Sequence, residues 1–195
     1  MPEHLDKNKY VPIVLISEDM KVVSITLKAI LEAIYNSQKI PALFHLESTG
    51  LVHARNEAMK QLQKYFGDGM VRGFLLDSDI YFVDTMDKLA AEMKNADEKH
   101  KNFIAPYKDK MQQWNVWVAN KRLDKLDGFY GKVISQAGLG FYYGDIPVSY
   151  RFHMVLNHDG DSTDGEDIIF FNENRKLKPY LANLKLAHMK VMPIV

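Results

Sequence analysis

Between Gly73 and Phe82 the chain reads GFLLDSDIYF, and no other stretch limits its fold so strongly. Gly73 to Leu76 carries no charge, is too short for a helix of its own, and suits a strand covered on both faces. Asp77 and Asp79 flank Ser78 where that strand would leave the sheet. Residues two apart on an extended chain point the same way, with Cα atoms ~6–7 Å apart, so both carboxylates can face one site. In open α/β sheets that site is the crevice beyond the carboxyl ends of the strands. Such a pair suits a hard divalent cation, Mg²⁺ or Mn²⁺, with positions left open for phosphate oxygens. A solvated turn is the plainer use of the same residues.

Strands and helices alternate around this segment. Val11 to Ile16 (VPIVLI) predicts a first buried strand, followed by Ser17, Glu18 and Asp19, residues suited to a helix N-cap. Val23, Leu27, Ile30, Leu31 and Ile34 form the stripe of an amphipathic helix ending near Asn36. Ile40 to Leu46 predicts the second strand. Ser48 or Thr49 would cap the next helix, with Leu51, Ala58, Leu62 and Tyr65 on its apolar face and Gly67 at its stop. After the aspartate-bearing strand, Asp84 or Thr85 would cap a helix with Met86, Leu89, Ala90 and Met93 on one face, and Asn102 to Pro106 makes another short strand. This order predicts an α/β fold, a mostly parallel central sheet with helices on both faces. At 195 residues and 47% hydrophobic content, one domain spanning 1–195 suffices. From Tyr107 to Leu126 the chain is rich in Lys, Gln, Trp and Asn, and no periodicity places it.

Several function classes drop out on composition. Lys plus Arg and Asp plus Glu each number 25, so there is no basic excess, and nucleic acid is not an expected partner. The absence of cysteine excludes disulfides, thiolate zinc sites and a cysteine nucleophile. The charged start MPEHLDKNKY lacks an apolar signal core, and the apolar runs fall short of the ~20 residues that span a bilayer. The expectation is a cytoplasmic protein with no transmembrane segment.

Beyond the aspartates, the chemistry-bearing candidates are few. Arg55 interrupts the apolar stripe of its helix; either its head snorkels out to solvent, or, with Asn56, it reaches a ligand or a carboxylate of the site. Gly128, Gly131, Gly138, Gly140 and Gly144 read better as turns and strand edges than as a phosphate cradle, because no G-x-G-x-x-G joins a strand to a helix. Trp114, Trp117, Tyr142 and Tyr143 can stack on a sugar or base, with core packing as the plainer use. NHDGDSTDGED, Asn157 to Asp167, is not an EF-hand calcium loop, since a loop starting at Asp159 has Asp164 where glycine is needed and Phe170 where glutamate is needed. Glu166 and Asp167 can simply open a helix whose dipole favours them. His4, His45, His53, His100, His153 and His158 show no metal-ligand spacing. His188, in LKLAHMKV, would ride a last strand to the sheet edge.

In sequence order these motifs resemble the nucleotide-sugar-dependent glycosyltransferases of the GT-A fold, most nearly the family-2-like group. Ser17 to Asp19 follow the first strand, Ala54-Arg55-Asn56 is similar to the family's ARN, and Leu75 to Ile80 (LLDSDI) to its metal-binding DxD. Ala137 to Phe141 (AGLGF) is similar to its acceptor-side glycine segment, Gly165-Glu166-Asp167 with Phe170 to its ED motif, and His188-Met189 to its late histidine. The resemblance spans roughly Val11 to Met189; the interval from Asp167 to His188 is shorter than the family's and lacks its glycine.

The resemblance implies a single GT-A (Rossmann-like) domain, with a nucleotide and metal half at about 11–106 and an acceptor half at about 107–195. It implies a nucleoside-diphosphate sugar as donor and a glycan or glycoprotein as acceptor. Ser17, Glu18, Asp19, Arg55, Asn56, Asp77 and Ser78 would face the nucleotide; Asp77 and Asp79 would hold Mn²⁺ or Mg²⁺, with His188 as an extra ligand. Asp167 would be the general base of an inverting transfer, with Glu166, Asp164 and Asp161 as substitutes. Two other readings stand beside it. One is a phosphatase of the haloacid-dehalogenase type, with Asp77 as nucleophile, Asp79 as acid, and Gly160-Asp161 with Asp164 as the metal loop. The other is a sugar- or nucleotide-binding module without catalysis.

Overall fold

The apolar run VPIVLI lies one strand in from the edge of a six-stranded sheet, where it is covered on both sides. The computed structural model describes residues 4–17, 24–47, 50–108, 112–119, 121–153, 155–156, 162–163 and 166–188. The elements are β1 (Tyr10–Ser17), α1 (Ser24–Asn36), β2 (Ile40–Glu47), α2 (Leu51–Phe66), β3 (Met70–Asp77), β4 (Ile80–Phe82), α3 (Met86–Glu98) and β5 (Phe103–Ile104). They continue as β6 (Val116–Val118), β7 (Lys121–Arg122), β8 (Gln136–Ala137), β9 (Phe141–Pro147), β10 (Val155–Leu156), β11 (Ser162–Thr163), α4 (Glu166–Glu173), β12 (Tyr180–Leu181) and β13 (Leu186–His188). Val23, Ser48 and Thr49 lie outside the described residues.

The main sheet runs β12-β5-β9-β3-β1-β2. It is mixed, which corrects the expectation of a mostly parallel sheet: β9 pairs antiparallel with both β3 and β5, while the other pairings are parallel. The reason lies in the connection. A parallel neighbour needs a crossover back to the opposite end of the sheet. The chain between β5 and β9 instead builds a small sheet, β7-β6-β8, and β9 starts at the level where β3 and β5 end, with Leu76 opposite Phe141 and Ile104 opposite Tyr142.

Alternation along the strands feeds two cores. Val14, Ile16, Leu75, Tyr142 and Ile146 pack with α2 and α4, while Ile13, Leu15, Phe74, Leu76 and Tyr143 pack with α1 and α3. Helices therefore cover both faces. On α2 the row Ala54, Ala58, Leu62 continues to Phe66, not to the expected Tyr65, which is 44% exposed. On α3 the inward positions are Leu89, Met93 and Ala96, with Met86 turned out. No helix among the described residues is long and apolar enough to cross a membrane.

Gly128 and Gly131 take turns and Gly138 follows the edge strand β8, as expected, whereas Gly144 lies in the interior strand β9. Phe141, Tyr142 and Tyr143 are buried in an interior strand, so neither tyrosine ring is a platform for a sugar or base. Tyr143 packs on Phe74 with ring centroids 4.5 Å apart, and a Cβ on Gly144 would meet Asn102 Oδ1 at 2.3 Å. Trp114 and Trp117 are half-buried, each with a cation over its ring, Lys108 and Arg122 respectively.

Gly73 of β3 sits close against Pro12 of β1. A Cβ there would lie 2.4 Å from the Pro12 carbonyl oxygen and 2.6 Å from Pro12 Cγ. Gly73→Ala is expected to lower stability by about 1–3 kcal/mol through this overpacking. Urea unfolding would read the loss as a lower midpoint at unchanged slope; an unshifted midpoint would show that the strands can part there.

Candidate active site

The site forms at the carboxyl ends of β1 and β3, and its centre is the charge that breaks the α2 stripe. Arg55 points inward and is 4% exposed. The stem does not snorkel: the guanidinium meets Asp77 at 3.5 Å and Glu166 at 2.9 Å, and contacts Asp167 directly. Phe152 covers it, with its ring centroid 5.4 Å from the guanidinium carbon. A buried cation needs such partners, because removing it from water without them costs several kcal/mol.

Glu166 and Asp167 open α4, where the helix dipole favours carboxylates. The dipole explains their position, and Arg55 explains why they turn inward. The second oxygen of Asp167 accepts the Leu139 N–H at 2.9 Å, tying the AGLGF segment to the same cluster. Gly140 closes the ring by accepting the Asp77 N–H at 3.1 Å.

The two aspartates of DSD part company. β3 stops at Asp77, Ser78 and Asp79 form a turn, and β4 starts at Ile80, so the side-by-side arrangement expected of an extended chain does not arise. The Ser78 N–H donates to the Ile16 carbonyl at 2.8 Å, holding the turn against β1. Asp77 leans on Arg55. Asp79 instead meets His188, Oδ2 to Nε2, at 3.2 Å. His188 arrives on β13, which pairs antiparallel with β4 and sets His188 opposite Ile80. The predicted last strand thus brings its imidazole to the site.

Burial and crowding set the charge states. Desolvation, with the Asp167 and Asp79 charges adding to it, pushes Asp77 up to about 6 against the pull of Arg55. Desolvation and Asp167 likewise push Glu166 up to about 7. Burial works against the Arg55 charge, but Asp167, Asp77 and Glu166 together outweigh it and hold the guanidinium above its ordinary value. One cation thus serves three carboxylates. A cavity of about 10 Å³ lies against Arg55, Asp77, Leu139 and Phe152, room for about one water.

Other sequence candidates fall elsewhere. Asn56 is spent on the chain, accepting the Phe152 N–H at 2.6 Å and donating to its carbonyl at 2.9 Å. Ser17 is buried, its Oγ 2.6 Å from His45 Nε2. Metal-ligand spacing gives His45 no role; the signal for it is the parallel register of β1 and β2, which sets it opposite Leu15. Tyr107, from the unplaced segment, also belongs to the site, since its ring stacks on His188. Glu18, Asp19, Gly160, Asp161, Asp164 and Met189 lie outside the described residues, so neither the nucleotide-bordering acids nor the phosphatase metal loop is placed.

Among the described residues, no three His, Asp or Glu side chains group as metal ligands. Asp79 with His188 offers a smaller donor set, one carboxylate and one imidazole. Among the described residues His188 Nδ1 is buried without a hydrogen-bond partner, and the Asp79 carboxylate opposite Nε2 favours the tautomer with its proton there, a proton that a bound cation would displace. This fits a divalent cation held by two protein ligands, with Mn²⁺ suiting an imidazole better than Mg²⁺, whose ligands are oxygens.

No family model matches the chain, and no curated protein matches it significantly. What the site can do follows from its own chemistry.

Proposed function

We propose that this chain is a glycosyltransferase that moves a sugar from a nucleoside-diphosphate sugar to an acceptor hydroxyl. The observation that most supports this is Arg55, which joins the end of the DSD strand to the paired acids of α4 within one buried cluster at the carboxyl end of the sheet. Two chemically distinct sides result. Asp79 and His188 face one another on the first, and Asp167 beside the Leu139 amide defines the second. The mixed sheet, with β9 running against its neighbours, is compatible with a GT-A domain, and that assignment is part of the proposal.

In the proposed reaction the acceptor oxygen forms a bond to the anomeric carbon as the bond from that carbon to the diphosphate breaks, and the acceptor proton passes to Asp167. Arg55 and the Leu139 N–H occupy one lone pair on each Asp167 oxygen, which leaves two positions for the acceptor hydroxyl. Those bonds orient the carboxylate. A divalent cation bound at Asp79 and His188 would neutralise the diphosphate and stabilise the charge on the departing nucleotide. Asp77 is committed to Arg55 and acts chiefly by holding that guanidinium between the two sides.

Calorimetric titration of uridine and guanosine diphosphates, with and without Mn²⁺, tests the donor side. One of the two is expected to bind only with the metal, and binding should disappear in the Asp77→Ala, Asp79→Ala double variant. If the folded wild type binds neither nucleotide in the presence of Mn²⁺, the donor-site assignment fails.

A further inference from the structure

Tyr107 leaves β5 at the carboxyl end of the sheet, and its backbone is held in a two-point clamp. Its N–H donates to Asn115 Oδ1 at 2.8 Å, and its carbonyl accepts the Asn115 N–H at 3.1 Å. The phenol ring stacks on the His188 imidazole, with centroids 5.9 Å apart and planes at 26°. Its hydroxyl lies across the backbone at Gly138, Leu139 and Gly140: a Cβ on Gly138 would come 2.7 Å from Oη, and one on Gly140 2.6 Å. Both positions must lack a side chain for the phenol to occupy this place. Burial, and the nearby Asp77, Asp167 and Asp79, hold the hydroxyl well above its ordinary ionisation range, so the ring stays neutral.

An imidazole that serves as a metal ligand normally has its other nitrogen fixed by a hydrogen bond, which sets the orientation of the ring. Among the described residues His188 lacks that bond, because its Nδ1 is buried and unpartnered. Something else must aim the ring, and the aromatic face packed against it belongs to Tyr107. We propose that Tyr107 is a positioning residue that holds the His188 imidazole toward Asp79 through ring stacking in place of the missing hydrogen bond. This rests on the divalent-cation role given to the Asp79–His188 pair above.

The test is Mn²⁺ affinity, read from the paramagnetic resonance of the free ion, in wild type, Tyr107→Phe, Tyr107→Leu, His188→Ala and the Tyr107→Leu, His188→Ala double variant. Loss of an orienting partner typically weakens metal binding by about 10- to 100-fold, so Tyr107→Leu should fall about tenfold. Tyr107→Phe keeps the ring and should restore wild-type affinity. The double variant should bind no more weakly than His188→Ala, because both changes act through one imidazole. A folded Tyr107→Leu variant with wild-type affinity, or additive losses in the double variant, would overturn the proposal and leave the cation role intact. A wild type that binds no Mn²⁺ would overturn the cation role instead. Positioning is then decided without metal by proton NMR of the wild type, which also serves if the leucine variant does not fold. Nuclear Overhauser contacts between the Tyr107 ring and the His188 Hε1 or Hδ2 protons support it, and their absence rejects it.

Discussion

Arg55→Met is expected to cost about 3–5 kcal/mol of stability at pH 8, the usual penalty for removing one member of a buried ion cluster. Methionine keeps the length of the apolar stem, so the loss isolates the charge. Without the guanidinium, the Asp77, Glu166 and Asp167 carboxylates share a largely buried site beside Phe152, and they repel one another. The deficit should depend on pH with a definite sign. In the wild type, Asp77 and Glu166 already titrate higher in the folded protein than is usual, at about 6 and about 7. Removing the cation raises them further. A carboxyl whose folded value lies above its unfolded value binds extra protons on folding, so its share of stability is present at low pH and lost as pH rises through the folded value. The gap between variant and wild type should therefore be widest above pH 7 and should narrow toward pH 5. Adding Glu166→Gln to Arg55→Met should recover part of the loss. Urea unfolding of the three proteins at pH 5 and pH 8 checks this; an equal deficit at both would mean that the packed stem, not the charge, carries the effect.

How much of this was legible in advance depends on whether the signal is local. The apolar runs of β1 and β3 announce strands buried on both faces, and Gly67 and the Glu166–Asp167 pair mark helix ends, because each rests on neighbouring residues alone. Arg55 was conspicuous as a charge on an apolar face, and His188 as an imidazole on an alternating strand. What sequence spacing could not show is where such groups point after the chain turns. The turn at Ser78 sends Asp77 to Arg55 and Asp79 to His188, although an extended reading places them side by side. The place of β9 was hidden for a similar reason: its antiparallel partners, β3 and β5, lie far away in sequence, and its glycines imitate a loop. Tyr107 stood in a segment without periodicity, and only the clamp from Asn115 and the space at Gly138 and Gly140 reveal its place.

Asp167→Asn is expected to lower the rate of sugar transfer by about 10²- to 10⁴-fold, the usual worth of a positioned general base. Asparagine has nearly the same volume and its carbonyl can still accept the Leu139 N–H, but its amide group cannot take a proton from an acceptor hydroxyl. Arg55 loses one partner and keeps Asp77 and Glu166, so the cluster stays paired and the fold should persist. Release of nucleoside diphosphate in the presence of acceptor gives the rate, and titration of the same nucleotide with Mn²⁺ gives binding. The base assignment requires the two to separate, with a collapsed rate at unchanged affinity. Equal loss of both would instead make Asp167 a brace that holds Arg55 and, through it, Asp77. Wild-type turnover would move the base to another carboxylate, and Glu166→Gln is then the informative comparison, because that side chain shares Arg55 and already sits near neutrality at about 7.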